Sequence, residues 1–150
     1  MKNLLMIMAL MMCFVANSQW TYKTINSKFD GSFKRAFTAT NNNGFLMMEE
    51  SDTVNKPFLG LSGSYFCDDE TLIDVVLVVK GVNKVYKIDA MKSGDNEMYY
   101  INDSIWTDEF VDDFKSASKC SIRVNQSYCT DEYYTFNFSG STAAFNFITK

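Results

Sequence analysis

Carboxylates are the side chains of this sequence that could do chemistry, and they fall into three clusters. A glycoside hydrolase needs two carboxylates facing each other across a cleft, and calcium takes several carboxylate oxygens as ligands. The sequence does not show which acids face each other, and no spacing is that of an EF-hand loop. We interpret the acids as solvated loops and a solvated helix face, and we predict no catalytic, cofactor or metal site. The clusters are Asp68, Asp69 and Glu70 with Asp74; Glu49 and Glu50 with Asp52; and Asp108 and Glu109 with Asp112 and Asp113.

Histidine is absent from the whole sequence, which narrows the chemistry further. Without histidine the chain has no Ser-His-Asp or Cys-His nucleophile, and it lacks the usual zinc ligands. The glycines are scattered turn residues and do not form a phosphate-binding loop. A carboxylate-based hydrolase acting on glycans is therefore the enzyme class that we keep as an alternative.

Residues 1–18 have the pattern of a secretory signal peptide. Lys2 supplies the positive charge, residues 4–15 form an apolar run, and Ala16 and Ser18 are the small residues expected before a cleavage site. The run is shorter than the roughly 20 residues that cross a bilayer. We expect cleavage before Gln19, a secreted or periplasmic location, and no integral membrane segment after cleavage.

Residues 19–150 are expected to form a single domain, because no repeat, basic run or Pro/Ser-rich linker divides them. Loss of Lys2 with the signal peptide leaves 13 basic residues against 18 acidic ones. This mild and dispersed negative charge argues against nucleic acid as a partner. The oligomeric state is not fixed by the composition.

Short apolar runs separated by turn residues predict a mainly β fold, an antiparallel sandwich or a partly open barrel. Residues 71–80 are rich in valine and nearly continuous, which is typical of a strand covered on both faces. The other predicted strands include residues 33–40, 57–67, 97–103, 104–107, 119–126 and 133–139. Side chains expected to face inward from the last two of these are Cys120, Ile122 and Val124, and Tyr134, Phe136 and Phe138.

Two stretches have helical patterns instead. Residues 108–116 follow a possible N-cap at Thr107, start with acids and place Phe110 and Phe114 on one face, which predicts a short helix. Near the C-terminus, Gly140 permits a sharp turn and Ser141 is expected to cap a second short helix. Phe145 and Ile148 would then close one end of the core. The alternative is that these residues form an exposed hydrophobic tail.

Three cysteines follow the predicted signal peptide, which in an exported protein indicates one disulfide and one unpaired thiol. The turn of the last hairpin is expected at Cys129. This follows if the inward residues of the two strands pair in the order Cys120, Ile122 and Val124 with Phe138, Phe136 and Tyr134. Cys129 would then lie too far along the hairpin to reach Cys120. Cys67 with Cys129 and Cys67 with Cys120 are the two pairings left open.

The order of several motifs resembles that of small exported bacterial β-sandwich proteins of the invasion-associated locus B kind and similar type VI secretion accessory proteins. The shared features are an early tryptophan, Trp20, and a closing strand-to-helix step at Phe138-Ser139-Gly140-Ser141-Thr142-Ala143-Ala144. The resemblance implies an accessory or binding role and supplies no catalytic residues. One departure is Lys87-Ile88, because those proteins often carry arginine before the aspartate of the central strand.

We therefore predict an exported, non-enzymatic binding or accessory protein that contacts protein or cell-envelope components. Exposed tyrosines are candidates for such a contact surface, and the alternative is that most of them pack within the strands. The candidate contact residues are Tyr99, Tyr100, Tyr128 and Tyr133.

Overall fold

The computed structural model describes residues 20–27, 31–40, 43–51, 56–63, 66–94 and 98–150. The predicted signal peptide of residues 1–18 and its cleavage point lie outside the described residues. So does Asp52, one of the acids singled out above. Within these ranges, no helix combines the length and the apolar character needed to cross a membrane.

The described residues form nine strands in one antiparallel sheet, together with two short α-helices. The strand order is β1-β2-β3-β4-β7-β6-β5-β8-β9, and the sheet does not close because β1 and β9 are both edges. This confirms the mainly β, antiparallel fold with two short helices. The strands are β1 (Trp20–Ser27), β2 (Gly31–Ala39), β3 (Phe45–Glu49), β4 (Phe58–Ser62), β5 (Glu70–Val79), β6 (Val82–Lys92), β7 (Met98–Ile101), β8 (Ala117–Asn125) and β9 (Glu132–Asn137); the helices are α1 (Asp108–Ser116) and α2 (Ser141–Thr149).

The strand β5 lies inside the sheet, between β6 and β8, and its two faces differ. Ile73, Val75 and Leu77 are buried on the core face, whereas Leu72 on the other face is 42% exposed. The prediction that this strand is covered on both faces is therefore wrong. Both helices pack on the core side of the sheet, and a continuous valine run does not reveal that the opposite face lacks such a layer.

A tight hairpin joins β5 to β6. Val79 pairs with Val82, and the two residues between them, Lys80 and Gly81, both have positive φ. That conformation is typical of two-residue hairpin turns whose twist matches the strands.

The core lies between the sheet and the two helices, and Trp106 is one of its buried residues. Its indole contacts the rings of Phe110, Phe114 and Phe145 at centroid distances of 5.3, 5.4 and 5.5 Å. Its Nε1–H donates to the carbonyl of Pro57 at 2.7 Å. The predicted strand at residues 104–107 is wrong: a 3₁₀ helix spans Asp103–Ile105, begun by the Asn102 side chain accepting from the Ser104 N–H.

The predicted short helix near residues 108–116 is present as α1, and Thr107 caps it by accepting from the Phe110 N–H at 3.2 Å. The second helix, α2, begins after Gly140, whose φ is 90°. Ser141 does not cap it, contrary to our prediction. Its hydroxyl and that of Thr142 instead donate to the carbonyl of Lys115, which ties the start of α2 to the end of α1.

The sheet curls so that Tyr134 on β9 packs against Gly63, directly after β4. A Cβ placed on Gly63 would lie 2.0 Å from the Tyr134 hydroxyl oxygen and 2.6 Å from the Phe66 ring. We predict that Gly63→Ala lowers the free energy of unfolding by about 1–3 kcal/mol, the usual penalty for overpacking.

Gly94→Ala is the matched control for Gly63→Ala, because a Cβ there meets nothing within 4 Å. Its free energy of unfolding should stay within about 1 kcal/mol of the wild-type value. Equal effects of the two variants in urea denaturation would contradict the close packing of Tyr134 on Gly63.

Candidate functional site

The face of the sheet turned away from the helices, here called the outer face, carries large apolar side chains in contact with solvent. Phe58, Met91 and Tyr100 are 54%, 60% and 46% exposed. They belong to β4, β6 and β7, which are neighbours in the sheet. Contiguous exposed apolar groups on a folded domain commonly mark a binding surface.

These three side chains line one groove of about 740 Å³, called the outer groove below. The groove arises because β7 is short: it pairs with β6 over Ala90–Lys92 and with β4 over Leu59–Ser62. After Ile101 the chain leaves the sheet for the 3₁₀ helix, so β4 and β6 have no strand between them there. The remaining apolar lining is Met47, Pro57, Ala90 and Ile101.

Pairing across the strands explains why Tyr100, Met91 and Glu70 share the outer face, whereas Ala90 and Ile101 are buried partners on the core face. Gly60, Tyr100, Met91 and Glu70 are consecutive partners across β4, β7, β6 and β5, and directly opposite residues project to the same side of a sheet. Gly60 lets the side chains of Met47 and Met98 pack closely over β4, because a Cβ there would lie 3.2 Å from both the Met47 methyl and the Met98 sulfur. The row therefore presents one large aromatic ring, one flexible thioether and one carboxylate.

Four carboxylates also line the outer groove: Glu49, Glu70, Asp89 and Asp103. Glu49 is held by Arg35, whose Nε–H donates to its Oε2 at 2.8 Å. In the described part of the chain, no group of three or more His, Cys, Asp or Glu side chains is placed to hold a metal ion. The acids therefore surround the groove as separate charges.

The four tyrosines proposed as a contact surface do not form one patch. Tyr99 is fully buried, so its assignment to a surface is wrong. Its hydroxyl donates to the Asp68 carbonyl at 2.6 Å, and burial, with the nearby Asp68 charge, raises its pKa to about 12. Tyr100 lines the outer groove. Tyr128 and Tyr133 are exposed in the β8–β9 hairpin, and Tyr133 is separated from Tyr100 by three strands.

The acid cluster at residues 68–74 is divided by the fold, and two of its members are not solvated as we predicted. Asp68 is buried, and its Oδ2 accepts from the Ser127 N–H at 2.6 Å. Asp74 is buried on the outer face, where Arg123 donates to Oδ2 and Lys87 Nζ lies 3.8 Å from Oδ1. Asp69 is exposed and pairs with Lys92 at 3.0 Å. Glu70 alone of this cluster lines the outer groove.

The ion pair of Asp74 predicts a pH dependence of stability. Burial alone would raise the pKa of Asp74, but the hydrogen bond and charge of Arg123, helped by Asn125 and Lys87, bring that pKa below its ordinary value. The resulting stabilisation is fully present above the unfolded pKa, near 4, and is lost as pH falls through the lower folded pKa.

Asp74→Asn should therefore be less stable than the wild type at neutral pH, and the difference should shrink towards about pH 2. The control is Asp112→Asn, which changes an exposed acid on α1. Urea denaturation at both pH values measures the free energy of unfolding of each protein. A difference between Asp74→Asn and the wild type that does not change with pH would contradict a lowered pKa of Asp74 in the folded protein.

The cysteines resolve into one close pair and one buried residue. The Cα atoms of Cys67 and Cys129 lie 6.2 Å apart, within disulfide range, and their sulfurs are at bonding distance. Cys120 is free and fully buried, and burial raises its pKa well above the ordinary value, which suppresses the thiolate. Cys120 pairs with Phe136 rather than with Phe138, so the hairpin turn is centred one residue before the predicted position.

No protein-family model, curated protein or solved structure matches this chain. The functional conclusion therefore rests on the outer groove. Sequence reasoning found Tyr100 but missed Phe58, Met91, Asp89 and Asp103. The available signal was the presence of large apolar residues at strand positions that alternate with buried ones.

Proposed function

We propose that this is an exported, non-enzymatic binding protein that holds a segment of a protein or another cell-envelope component in the outer groove. The observation that carries the proposal is the convergence of Phe58, Met91 and Tyr100 on one groove of about 740 Å³. A volume of this size is in the range of ligand sites, and apolar lining with a few polar groups is their usual composition.

The energetic argument concerns the solvent exposure of these side chains. Burying a side chain of this size is worth roughly 1.5–3 kcal/mol, and Phe58, Met91 and Tyr100 retain about half of their surface in water. A ligand that covers all three gains apolar contact without rearranging the core. Their positions on paired strands also hold the groove in one shape before binding, which reduces the entropy lost on association.

Export is supported by two independent features. Residues 1–18 have the charge and apolar pattern of a signal peptide. Cys67 and Cys129 lie at disulfide distance, and disulfides persist mainly in oxidising compartments. The resemblance to the invasion-associated locus B kind stays a prediction, and the proposed binding site does not depend on it.

Hydrolysis of glycans is the second candidate, and the carboxylates of the outer groove are the observation that favours it. An assay on a panel of soluble and insoluble glycans tests this directly. We expect no turnover by the wild type. If the wild type hydrolyses a glycan and Glu70→Gln or Asp89→Asn abolishes that hydrolysis, the protein is a hydrolase and the binding proposal is wrong.

The binding function is tested by capture from the envelope fraction of the source cell on the immobilised chain of residues 19–150. We expect a component that is retained by the wild type and lost from a Met91→Ser/Tyr100→Ser variant. Val82→Ser is the matched control, because Val82 begins β6 at the end remote from Met91 and is 59% exposed, against 60% for Met91. Identical capture by all three proteins would contradict the proposal.

A further inference from the structure

We infer that the outer groove selects a basic, partly apolar peptide segment, in which lysine or arginine side chains alternate with apolar ones. This inference rests on the proposed function and adds the chemistry of the ligand. It follows from the charge that surrounds the apolar lining.

Three of the four carboxylates at the groove are available to a ligand. Glu49 is neutralised by Arg35, but Glu70, Asp89 and Asp103 form no ion pair within the part of the chain that the structure describes. Lys87 projects from the same face of β6 as Asp89, but its Nζ lies 3.8 Å from Asp74, which Arg123 also contacts, and Lys87 is not among the residues that line the groove. The groove therefore has a net negative charge.

The three free acids come from different elements, which distributes the charge along the groove. Glu70 begins β5, Asp89 lies on β6, and Asp103 begins the 3₁₀ helix. Clefts lined by one sign of charge raise the local concentration of oppositely charged ligands. Since the acids do not converge on a metal site among the described residues, the complementary ligand carries several separated positive charges.

The apolar lining determines what must accompany those charges. Lysine and arginine have long apolar stems that can pack against Met91 while the cationic end remains near a carboxylate, and the Tyr100 ring offers a cation–π contact. A free polyamine has no side chains to cover Phe58 and Met91, and phosphate-bearing lipids or nucleic acids would be repelled by the acids. A peptide with alternating basic and apolar residues supplies both parts.

Fluorescence anisotropy with a labelled, end-blocked peptide of alternating lysine and valine, about eight residues long, tests this inference. The comparison probes are the same peptide with glutamine for lysine, and spermine as a competitor. We expect the lysine peptide to bind at least about tenfold more tightly than the glutamine peptide, a difference of about 1.4 kcal/mol. Its affinity should fall as NaCl rises from about 0.05 to about 0.5 M. Spermine should compete only weakly.

The decisive variants change net charge equally. The double variant Glu70→Gln/Asp89→Asn should bind the lysine peptide about fivefold or more weakly than the wild type. The double variant Asp108→Asn/Asp112→Asn, on the exposed side of α1, should bind it with nearly the wild-type affinity. Equal loss in both double variants, equal affinity for the glutamine peptide, or no binding of the lysine peptide would each overturn the inference. The proposed function would survive any of these results if envelope capture still required Met91 and Tyr100.

Discussion

Replacing Phe145 with alanine is expected to lower the free energy of unfolding by about 3–5 kcal/mol, the usual range for a buried phenylalanine. Phe145 is 1% exposed, and its ring contacts Trp106 at a centroid distance of 5.5 Å and Lys115, whose Nζ is 4.5 Å from the ring centroid. A domain is stable by only about 5–15 kcal/mol. The melting temperature should therefore fall on the order of 10 °C or more.

Phe147→Ala is the matched control, because it removes the same side chain from a half-buried position on α2, where the ring contacts Tyr22 at 5.2 Å. Its effect should be less than half as large. Deletion of residues 141–150 should prevent soluble folding, since it also removes Ala144 and Ile148 from the core. The exposed-tail alternative requires an unchanged melting temperature in all three variants, and the burial of Phe145 and Ile148 argues against it.

Removing the Cys67–Cys129 pair is the second change with a large expected effect: it should lower the free energy of unfolding by about 4 kcal/mol. The two residues are separated by 62 positions, and closing a loop of that length lowers the entropy of the unfolded chain enough to stabilise the fold by about 4 kcal/mol. Cys67→Ser/Cys129→Ser should therefore denature at a lower urea concentration than the wild type under oxidising conditions.

Reduction provides the internal control for the cysteine prediction. A reductant should bring the wild type close to the double variant and leave the double variant unchanged. Cys120→Ala should keep the response to reductant, because Cys120 is not part of the pair. A wild type that is equally stable with and without reductant would show that the pair does not stabilise the fold.

Period-two alternation was sufficient to predict which side chains of the last hairpin face inward. Cys120, Ile122 and Val124 are buried, as are Tyr134 and Phe136 on the neighbouring strand. Alternation fixes which residues share a face and leaves the pairing of two strands undetermined. This is why the inward faces were predicted correctly while the register between Cys120 and its partner was wrong by two residues.

The candidate site was harder to predict, because its residues are distant in sequence and meet through strand pairing. Tyr99 and Tyr100 are neighbours in one strand and therefore project to opposite faces. Pairing with Leu61 and Gly60 on β4 determines that Tyr99 is the buried one. Asp89 and Glu70 approach the same groove only because β6 and β5 form a long hairpin. The order β4-β7-β6, which creates the groove, is not encoded in any local pattern.

The central claim is that the outer groove is the binding site, and backbone NMR of ¹⁵N-labelled residues 19–150 tests it most directly. The lysine–valine and glutamine–valine peptides are each titrated into the protein. We predict that the largest amide shifts with either peptide occur at Phe58, Asp89, Met91, Tyr100 and Asp103, while Asn83 and Asn137, at the far end of the same face, are unchanged. Shifts concentrated at Tyr128 and Tyr133, or along the edge strand β1, would contradict it.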